Sequence, residues 1–283
     1  MMMSWRDAVD LTRLNRPVGI YLVLWPTLWG LWLAAEGVPP IWVLIVFVLG
    51  TVLMRSAGCV INDYADRHFD GHVARTCDRP LATGRVSEKQ ALGLFVLLGV
   101  LAFALVLTLN GLTIALSLVG LGLSALYPFM KRHTHWPQLF LGAAFAWAIP
   151  MSFSAVQAQV PVVAWWVYAT TLVWALIYDT AYAIYDKPDD LKVGIKSTAV
   201  LFGDYVRPAI FMFQLLMLAG LVAIGWVFEL GWAYAISVVI AAGLMGYHQI
   251  LLGKGQASSA FQAFLHNHWI GAVIWLGLVV AYL

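Results

Sequence analysis

The sequence predicts an all-α polytopic membrane protein. The chain has 283 residues, of which 62% are hydrophobic and 11% are charged, and its mean hydropathy is +0.84. Soluble proteins average about 45–50% apolar and about 25% charged residues. The apolar residues form continuous runs without alternation, which favours helices, because a helix satisfies its own backbone polar groups in lipid. These observations exclude a soluble domain and a disordered chain, and a net charge of +2 gives no basic excess for binding nucleic acid.

Nine apolar runs are long enough to cross a membrane, since a helix needs roughly 20 residues to span a hydrocarbon core of about 30 Å. We place these spans near residues 17–36, 40–61, 90–109, 111–129, 138–157, 160–183, 207–228, 231–251 and 265–282. We expect one intramembrane domain over residues 1–283, with its helices around a central cavity. Residues 1–16 carry charges of both signs, and they predict either a short helix on the membrane surface or an untethered tail.

The distribution of basic residues predicts how the chain is oriented. With nine spans, the N-terminus lies on the same side as the connections after the even-numbered spans. That side carries 15 of the 16 Lys and Arg residues, and the opposite connections carry none. By the positive-inside rule, the N-terminus and the two long connections after spans two and six are cytoplasmic, and the C-terminus lies on the far side.

Two acidic clusters stand at the cytoplasmic ends of spans two and six. The first contains Asn62, Asp63, Asp66 and Asp70, and the second contains Asp179, Tyr182, Asp186, Asp189 and Asp190. If each helix continues past its apolar run, residues three or four apart share a face, so that each cluster forms a polar stripe. We expect Pro188 to end or kink the second helix before Asp190.

The spacing of the clusters predicts an internal repeat. Asp186 follows Asp66 by 120 positions, and Asp190 follows Asp70 by the same offset. Four spans separate the clusters, so both stripes point the same way. We therefore predict two similar halves, spans one to four and spans five to eight, with a ninth helix added. Related halves would bring the two stripes face to face across the central cavity.

Opposed carboxylates at a membrane surface favour a metal and phosphate site. Carboxylates without matching bases repel each other unless a cation lies among them, and Mg²⁺ commonly bridges carboxylates to substrate phosphates. Two opposed pairs would hold two metal ions and one diphosphate. The alternative is a solvated acidic loop, which is less favoured because these residues continue helices out of apolar spans, where charges are costly.

Basic residues near the clusters are candidates for binding phosphate oxygens that the metal ions leave free. They are Arg13, Arg16, Lys131, Arg132, Lys192 and Lys196. For each of them, plain positive-inside topology is an alternative explanation. Arg55 differs, because it lies seven residues before Asn62, on the same helix face and inside the membrane. An intramembrane arginine needs an anionic partner, so Arg55 either pairs with Asp179 or binds a substrate that carries a carboxylate.

The motifs Asn62-Asp63-x-x-Asp66-x-x-x-Asp70 and Asp179-x-x-Tyr182-x-x-x-Asp186 resemble the two signature motifs of the intramembrane aromatic prenyltransferases. Nine spans with both motifs at cytoplasmic loops are similar to that family's architecture, and the resemblance covers essentially the whole chain. Finer segments resemble the bacterial branch that acts on 4-hydroxybenzoate in ubiquinone biosynthesis. These segments are DRPLATGR at 78–85, YPFMKR at 127–132 and GIKST at 194–198.

The resemblance implies an enzyme of the bacterial inner membrane that uses Mg²⁺. It would transfer a polyprenyl group from polyprenyl diphosphate to the ring carbon ortho to the hydroxyl of 4-hydroxybenzoate, and diphosphate would leave. No nucleic acid and no obligatory protein partner are implied. The implied metal ligands are Asn62, Asp66, Asp70, Asp186 and Asp190, and the same four carboxylates together with Asp179 are the implied catalytic residues. The implied substrate-binding residues are Arg16, Arg55, Tyr127, Lys131, Arg132, Tyr182, Lys192 and Lys196.

Two other functions remain open from the sequence. One is a prenyltransferase of the same family that acts on another quinone precursor. The other is a secondary transporter, since repeats and intramembrane charges also occur there. Transporter sites usually lie near the bilayer midplane, whereas these clusters lie at helix ends, so the sequence favours the enzyme.

Overall fold

The computed structural model describes residues 3–68 and 76–283, and within those ranges the regular structure is entirely helical. The helices are α1 (Trp5–Thr12), α2 (Val18–Ala35), α3 (Ile41–Asp66), α4 (Glu88–Val106), α5 (Gly111–His133), α6 (Pro137–Ala146), α7 (Ala148–Gln157), α8 (Val162–Val193), α9 (Thr198–Phe202), α10 (Val206–Val227), α11 (Trp232–Gly253) and α12 (Ala257–Ala281). The predicted all-α class is confirmed.

Nine helical segments in the described part of the chain are long and apolar enough to cross a membrane, as predicted. Seven are single helices, and the other two are the pairs α6–α7 and α9–α10. At the junction of α6 and α7, the indole of Trp147 donates a hydrogen bond to the Leu116 carbonyl on α5 (2.8 Å). The division of the spans into two similar halves stays a prediction.

The two helices that carry the acidic clusters continue well beyond their apolar runs. Helix α3 reaches Asp66, and α8 runs to Val193. The expectation that Pro188 ends the second helix before Asp190 is wrong, since Pro188 lies inside α8. A proline inside a helix removes one backbone hydrogen bond, the one that its own N–H would donate, and α8 continues past it. The helix instead ends at Gly194, which has a φ of 71° and donates its N–H to the Asp190 carbonyl.

Tryptophan side chains hold the centre of the bundle together. The rings of Trp29 on α2 and Trp174 on α8 stack at 5.1 Å, and both are fully buried. The Trp29 indole donates to the Gly271 carbonyl (2.9 Å), and the Trp174 indole donates to Asn267 Oδ1 (3.2 Å), both on α12. These contacts tie α2, α8 and α12 together because each buried indole N–H finds a partner on a neighbouring helix.

The N-terminal segment forms a helix that packs on the bundle. Ser4 caps α1 by accepting a hydrogen bond from the Asp7 backbone N–H (3.1 Å). Leu11 is fully buried in a small apolar cluster with Val60 of α3 and Val86. Of the two alternatives for residues 1–16, the untethered tail is therefore wrong.

Candidate active site

A cavity of about 750 Å³ lies where the polar ends of α3 and α8 face each other. Its walls come from the segment between α1 and α2 and from helices α2, α3, α5, α6, α8 and α12. Residues of the connection between α3 and α4, among them Thr76, Arg79 and Arg85, also line it. The central cavity that the sequence predicts is therefore present, and the question is which predicted residues reach it.

Most residues of the two predicted clusters line this one cavity. Those in the described part of the chain are Asn62, Asp63, Asp66, Asp179, Tyr182, Asp186, Asp189 and Asp190, whereas Asp70 lies outside the described residues. Among the described residues, no three His, Cys, Asp or Glu side chains are close enough together to form a ready-made metal site. The two stripes thus face a shared space, and their roles as metal ligands stay a prediction.

The two oxygens of Asp66 differ in their hydrogen bonding. Its side chain is buried at the end of α3, and Lys131 Nζ forms an ion pair with Oδ2. The other oxygen, Oδ1, is buried without a hydrogen-bond partner and lies 3.9 Å from Arg132 Nη2. A buried, unsatisfied carboxylate oxygen is costly, and a bound cation would satisfy it.

Asn62 and Asp179 also offer unpartnered oxygen atoms to the cavity. Both side chains are partly exposed on its wall, and neither forms a side-chain hydrogen bond or an ion pair within the described residues. Carboxylate and amide oxygens are the hard ligands that Mg²⁺ and Mn²⁺ prefer. Together with Asp66 Oδ1, these oxygens on the cavity wall are of the chemical type that suits a divalent metal ion.

Arg55 projects into the cavity from within the membrane, as predicted from its spacing to Asn62. Its guanidinium donates a hydrogen bond to Cys59 Sγ, and its Nε is buried without a partner. No carboxylate among the described residues lies within 4 Å of it, but Asp179 interacts with it electrostatically at longer range. The two predicted roles of Arg55, pairing with Asp179 and binding an anionic substrate, therefore both stay predictions.

Gly19 makes room for this guanidinium. A Cβ atom at position 19 would lie 2.3 Å from Arg55 Nη2, which is too close for any real contact. We expect Gly19→Ala to displace the guanidinium and to raise the KM for a carboxylate-bearing acceptor about tenfold, because small misplacements of a binding group are costly. Gly58→Ala is the matched control, since a Cβ there meets no atom within 4 Å. Equal KM values for the two variants in steady-state kinetics would contradict this role.

The predicted basic residues divide into two groups. Arg16, Lys131 and Lys196 line the cavity. Arg132 does not line the cavity. Successive residues on a helix point about 100° apart, so when Lys131 faces the cavity, the Arg132 side chain lies beside it. It donates to the Ala65 carbonyl instead (2.6 Å). Lys192 is exposed at the surface, where it pairs with Asp189 at 2.9 Å.

Aromatic side chains form one wall of the cavity. Tyr182 of α8 packs against Phe264 of α12 with ring centroids 4.8 Å apart, and Tyr178 and Phe261 extend the same wall. Tyr127 of α5 also lines the cavity, and its role in substrate binding stays a prediction. Ring faces in such a wall attract cations, which suits a site where a carbocation develops.

Three charged residues at the cavity rim were not predicted as a group. Arg13 Nη2 and Arg79 Nη1 lie 2.5 Å and 3.0 Å from Asp63 Oδ1. Burial lowers the pKa of Arg13, but the carboxylate of Asp63 and weaker interactions with neighbouring groups together outweigh this effect, so the pKa is raised and the guanidinium stays charged. The partners lie far apart in the sequence, and no local spacing signals their contact.

Comparisons with known proteins agree with this geometry. The model of the UbiA prenyltransferase family matches residues 23–271. A 4-hydroxybenzoate octaprenyltransferase from Hydrogenovibrio crunogenus is 64% identical over 272 residues, which cover 96% of this chain and 95% of that protein. Another from Alkalilimnicola ehrlichii is 57% identical and covers 98% of this chain and 94% of that protein.

Solved structures show the same fold. The apo structure of a UbiA homolog from Aeropyrum pernix K1 has a TM-score of 0.83 and 25% identity, and the match covers 93% of this chain and 98% of that one. A UbiA homolog from Archaeoglobus fulgidus, solved with GPP and Mg²⁺, has a TM-score of 0.68 and 16% identity, and the match covers 97% and 99% of the two chains. With its membrane helices, its paired acidic motifs and these matches, the chain belongs to the UbiA prenyltransferase family.

Proposed function

We propose that this chain transfers a polyprenyl group from polyprenyl diphosphate to the carbon ortho to the hydroxyl of 4-hydroxybenzoate. The observation that carries the proposal is a single cavity with carboxylates from α3 and α8 at its polar end and the guanidinium of Arg55 on its wall. The names of the relatives from Hydrogenovibrio crunogenus and Alkalilimnicola ehrlichii support this acceptor and an octaprenyl chain.

A divalent metal ion, proposed to be Mg²⁺, would be held by oxygen atoms at the polar end of the cavity. The proposed ligands are Asn62, Asp66, Asp70, Asp186 and Asp190, of which Asp70 lies outside the described residues. When bound, the ion supplies Lewis-acid stabilisation of the leaving diphosphate. The Archaeoglobus fulgidus homologue solved with GPP and Mg²⁺ supports this choice of ion.

Cationic side chains would bind the diphosphate oxygens. Arg16, Lys131 and Lys196 line the same end of the cavity as the acidic stripes. As the allylic C–O bond breaks, its electron pair leaves with the diphosphate, and these fixed cations stabilise the charge that develops there. The prenyl group becomes a delocalised cation, and the ring faces of Tyr182 and Phe264 lie at the wall to stabilise it.

The acceptor would be oriented through its carboxylate. Arg55 binds the carboxylate of 4-hydroxybenzoate and holds the ring so that its ortho carbon meets the prenyl cation, forming the new C–C bond. The ring proton must then leave, and we propose Asp179 or the released diphosphate as its acceptor. Asp179 lies on the cavity wall and its side chain forms no hydrogen bond among the described residues, which suits it for this step.

An apolar space beside the cavity offers a path for the prenyl tail. A pocket of about 150 Å³ between α3, α4, α5 and the α6–α7 segment shares Phe145 with the main cavity. Its lining is mostly apolar and includes Phe47, Phe103 and Met151. A tail that leaves the cavity in this direction moves toward lipid, which explains why the reaction takes place in a membrane.

The proposed setting is the bacterial inner membrane, with the whole chain acting as one domain. The cavity's polar end, α1 and the connection after α3 lie together, and the basic residues around them favour the cytoplasmic side. The C-terminus would then lie on the opposite side. This orientation lets water-soluble 4-hydroxybenzoate and Mg²⁺ reach the cavity from the cytoplasm.

The direct test is transfer in membranes that contain the expressed chain. We expect membranes incubated with labelled 4-hydroxybenzoate, octaprenyl diphosphate and Mg²⁺ to form an organic-extractable product, and EDTA to abolish it because the diphosphate loses its metal ion. Membranes without the chain are the control. A preference for a different quinone precursor, such as 1,4-dihydroxy-2-naphthoate, would overturn the acceptor, and uptake of unchanged solute into vesicles would indicate a transporter.

A further inference from the structure

One buried carboxylate at the cavity rim connects two separate segments to α3. The side chain of Asp63 is 1% exposed, and its Oδ1 atom contacts both Arg13 Nη2 and Arg79 Nη1. Arg13 follows α1, and Arg79 lies in the connection between α3 and α4. We call Arg13, Asp63 and Arg79 the rim clamp.

The contacts of Asp63 distinguish it from the proposed metal ligands. It follows Asn62 by one residue and precedes Asp66 by three, so its side chain points about 100° from Asn62 and about 60° from Asp66. Its Oδ1 atom is already bound by two cations. A metal ion at this oxygen would have to displace two guanidinium groups, which makes Asp63 a poor ligand although it belongs to the same motif.

The clamp has a charge that suits the proposed substrate. All three of its residues line the cavity. Two guanidinium groups and one carboxylate carry a net positive charge, which faces the space where a diphosphate would lie. Because Asp63 holds both arginines in place, it reduces the side-chain entropy that they would otherwise lose on binding an anion.

A second network joins the same two segments nearer the solvent. Arg85 Nη1 lies 2.9 Å from Asp7 and 3.4 Å from Asp10 of α1, and its Nη2 donates to the Asp78 carbonyl (2.9 Å). Arg85 is exposed, so these pairs are screened and contribute little. The buried clamp is therefore the contact that fixes the rim.

We propose that Asp63 is a positioning residue, which holds Arg13 and Arg79 at the cavity rim so that both guanidinium groups bind the diphosphate of the prenyl substrate. This inference rests on the proposed function for the identity of the anion. Asp63 acts only through the two arginines, and it touches neither the metal ion nor the substrate.

A mutant cycle tests this dependence with inorganic diphosphate as the probe, titrated calorimetrically in the presence of saturating Mg²⁺. We expect Asp63→Asn to raise the dissociation constant of diphosphate about tenfold, because the variant removes one partner of a buried charge pair. Asp63→Glu, which keeps the charge, should recover part of this loss. In an Arg13→Ala/Arg79→Ala background, Asp63→Asn should add less than about twofold, because its partners are gone. Asp204→Asn, an exposed carboxylate outside the cavity, is the matched control.

A labelling measurement reports on the rim without substrate. Cys59 lines the cavity and is 1% exposed, and Cys77 is replaced by Ser so that Cys59 is the one thiol left. We expect Asp63→Asn to raise the rate of maleimide labelling of Cys59 several-fold in membranes, because a released rim opens more often. This readout keeps the proposal testable if the purified variant is unstable.

Three results would overturn the role of Asp63. The first is that Asp63→Asn still raises the diphosphate dissociation constant about tenfold in the Arg13→Ala/Arg79→Ala background. The second is that Asp63→Asn raises the half-saturating Mg²⁺ concentration and not the diphosphate dissociation constant. The third is that Cys59 in Asp63→Asn is labelled at the same rate as in the wild type. Failure of the proposed function looks different. The wild-type chain would then bind diphosphate but would not prenylate 4-hydroxybenzoate, and the cycle would still report on the clamp.

Discussion

Asp66→Asn is expected to reduce kcat for prenyl transfer about 1000-fold while the protein remains folded, since a metal ion at a transferring diphosphate contributes several kcal/mol. The carboxylate has a buried oxygen, Oδ1, without a hydrogen-bond partner. An amide keeps the shape of the side chain but lowers its negative charge. The measurement is kcat as a function of Mg²⁺ concentration in purified enzyme, and we expect the half-saturating concentration to rise together with the loss of kcat.

Lys131→Met separates loss of the metal site from loss of the ion pair. Lys131 forms the ion pair with Asp66 Oδ2, so this variant breaks the same contact and leaves the carboxylate in place. We expect it to lower kcat by removing a phosphate-binding cation without raising the half-saturating Mg²⁺ concentration. If both variants show the same metal dependence, Asp66 serves only to position Lys131, and its role as a ligand is wrong.

Arg55→Ala is expected to raise the KM for 4-hydroxybenzoate about 100-fold, because a charge-assisted contact in a largely desolvated site is lost. Among the described residues, no carboxylate lies within 4 Å of the guanidinium, and its one side-chain hydrogen bond is to Cys59 Sγ. The KM for polyprenyl diphosphate should change little, since Arg55 lies about two helical turns before the acidic stripe on α3. Steady-state kinetics with each substrate varied in turn measures both values.

An acceptor without the carboxylate sharpens this prediction. The wild-type enzyme should prefer 4-hydroxybenzoate to 4-hydroxybenzamide, and Arg55→Ala should lose most of that preference because no cation remains to recognise the charge. Arg207→Ala is the control, since this arginine lies outside the cavity and donates to Gln249. A preference for the carboxylate that survives in Arg55→Ala would assign acceptor binding to another residue.

Helical periodicity made part of the site predictable. The seven-residue spacing between Arg55 and Asn62 places both on one face of α3, and the structure brings both to the cavity. The same rule predicts that the adjacent side chains of Lys131 and Arg132 point in different directions, but the sequence does not show which of the two faces the cavity. That choice depends on how α5 is rotated against its neighbours, which is set by tertiary packing.

Contacts between distant segments were not predictable. Asp63 follows Asn62 directly and has no special spacing, yet it binds Arg13 and Arg79, which come from opposite sides of it in the chain. The end of α8 also differs from its expectation, because the apolar signal stops near residue 183 while the helix continues through Pro188 to a glycine cap. Hydropathy marks where lipid ends, and hydrogen bonding and capping decide where a helix ends.

The most direct test of the central claim is anomalous diffraction from crystals grown with Mn²⁺ and a non-hydrolysable prenyl diphosphate analogue. Mn²⁺ takes the same carboxylate ligands as Mg²⁺ and gives a measurable anomalous signal. We predict metal peaks inside the cavity, about 2–2.5 Å from carboxylate oxygens of both Asp66 and Asp186 and in contact with the diphosphate. Metal peaks away from these side chains, or a diphosphate bound elsewhere on the protein, would contradict the account.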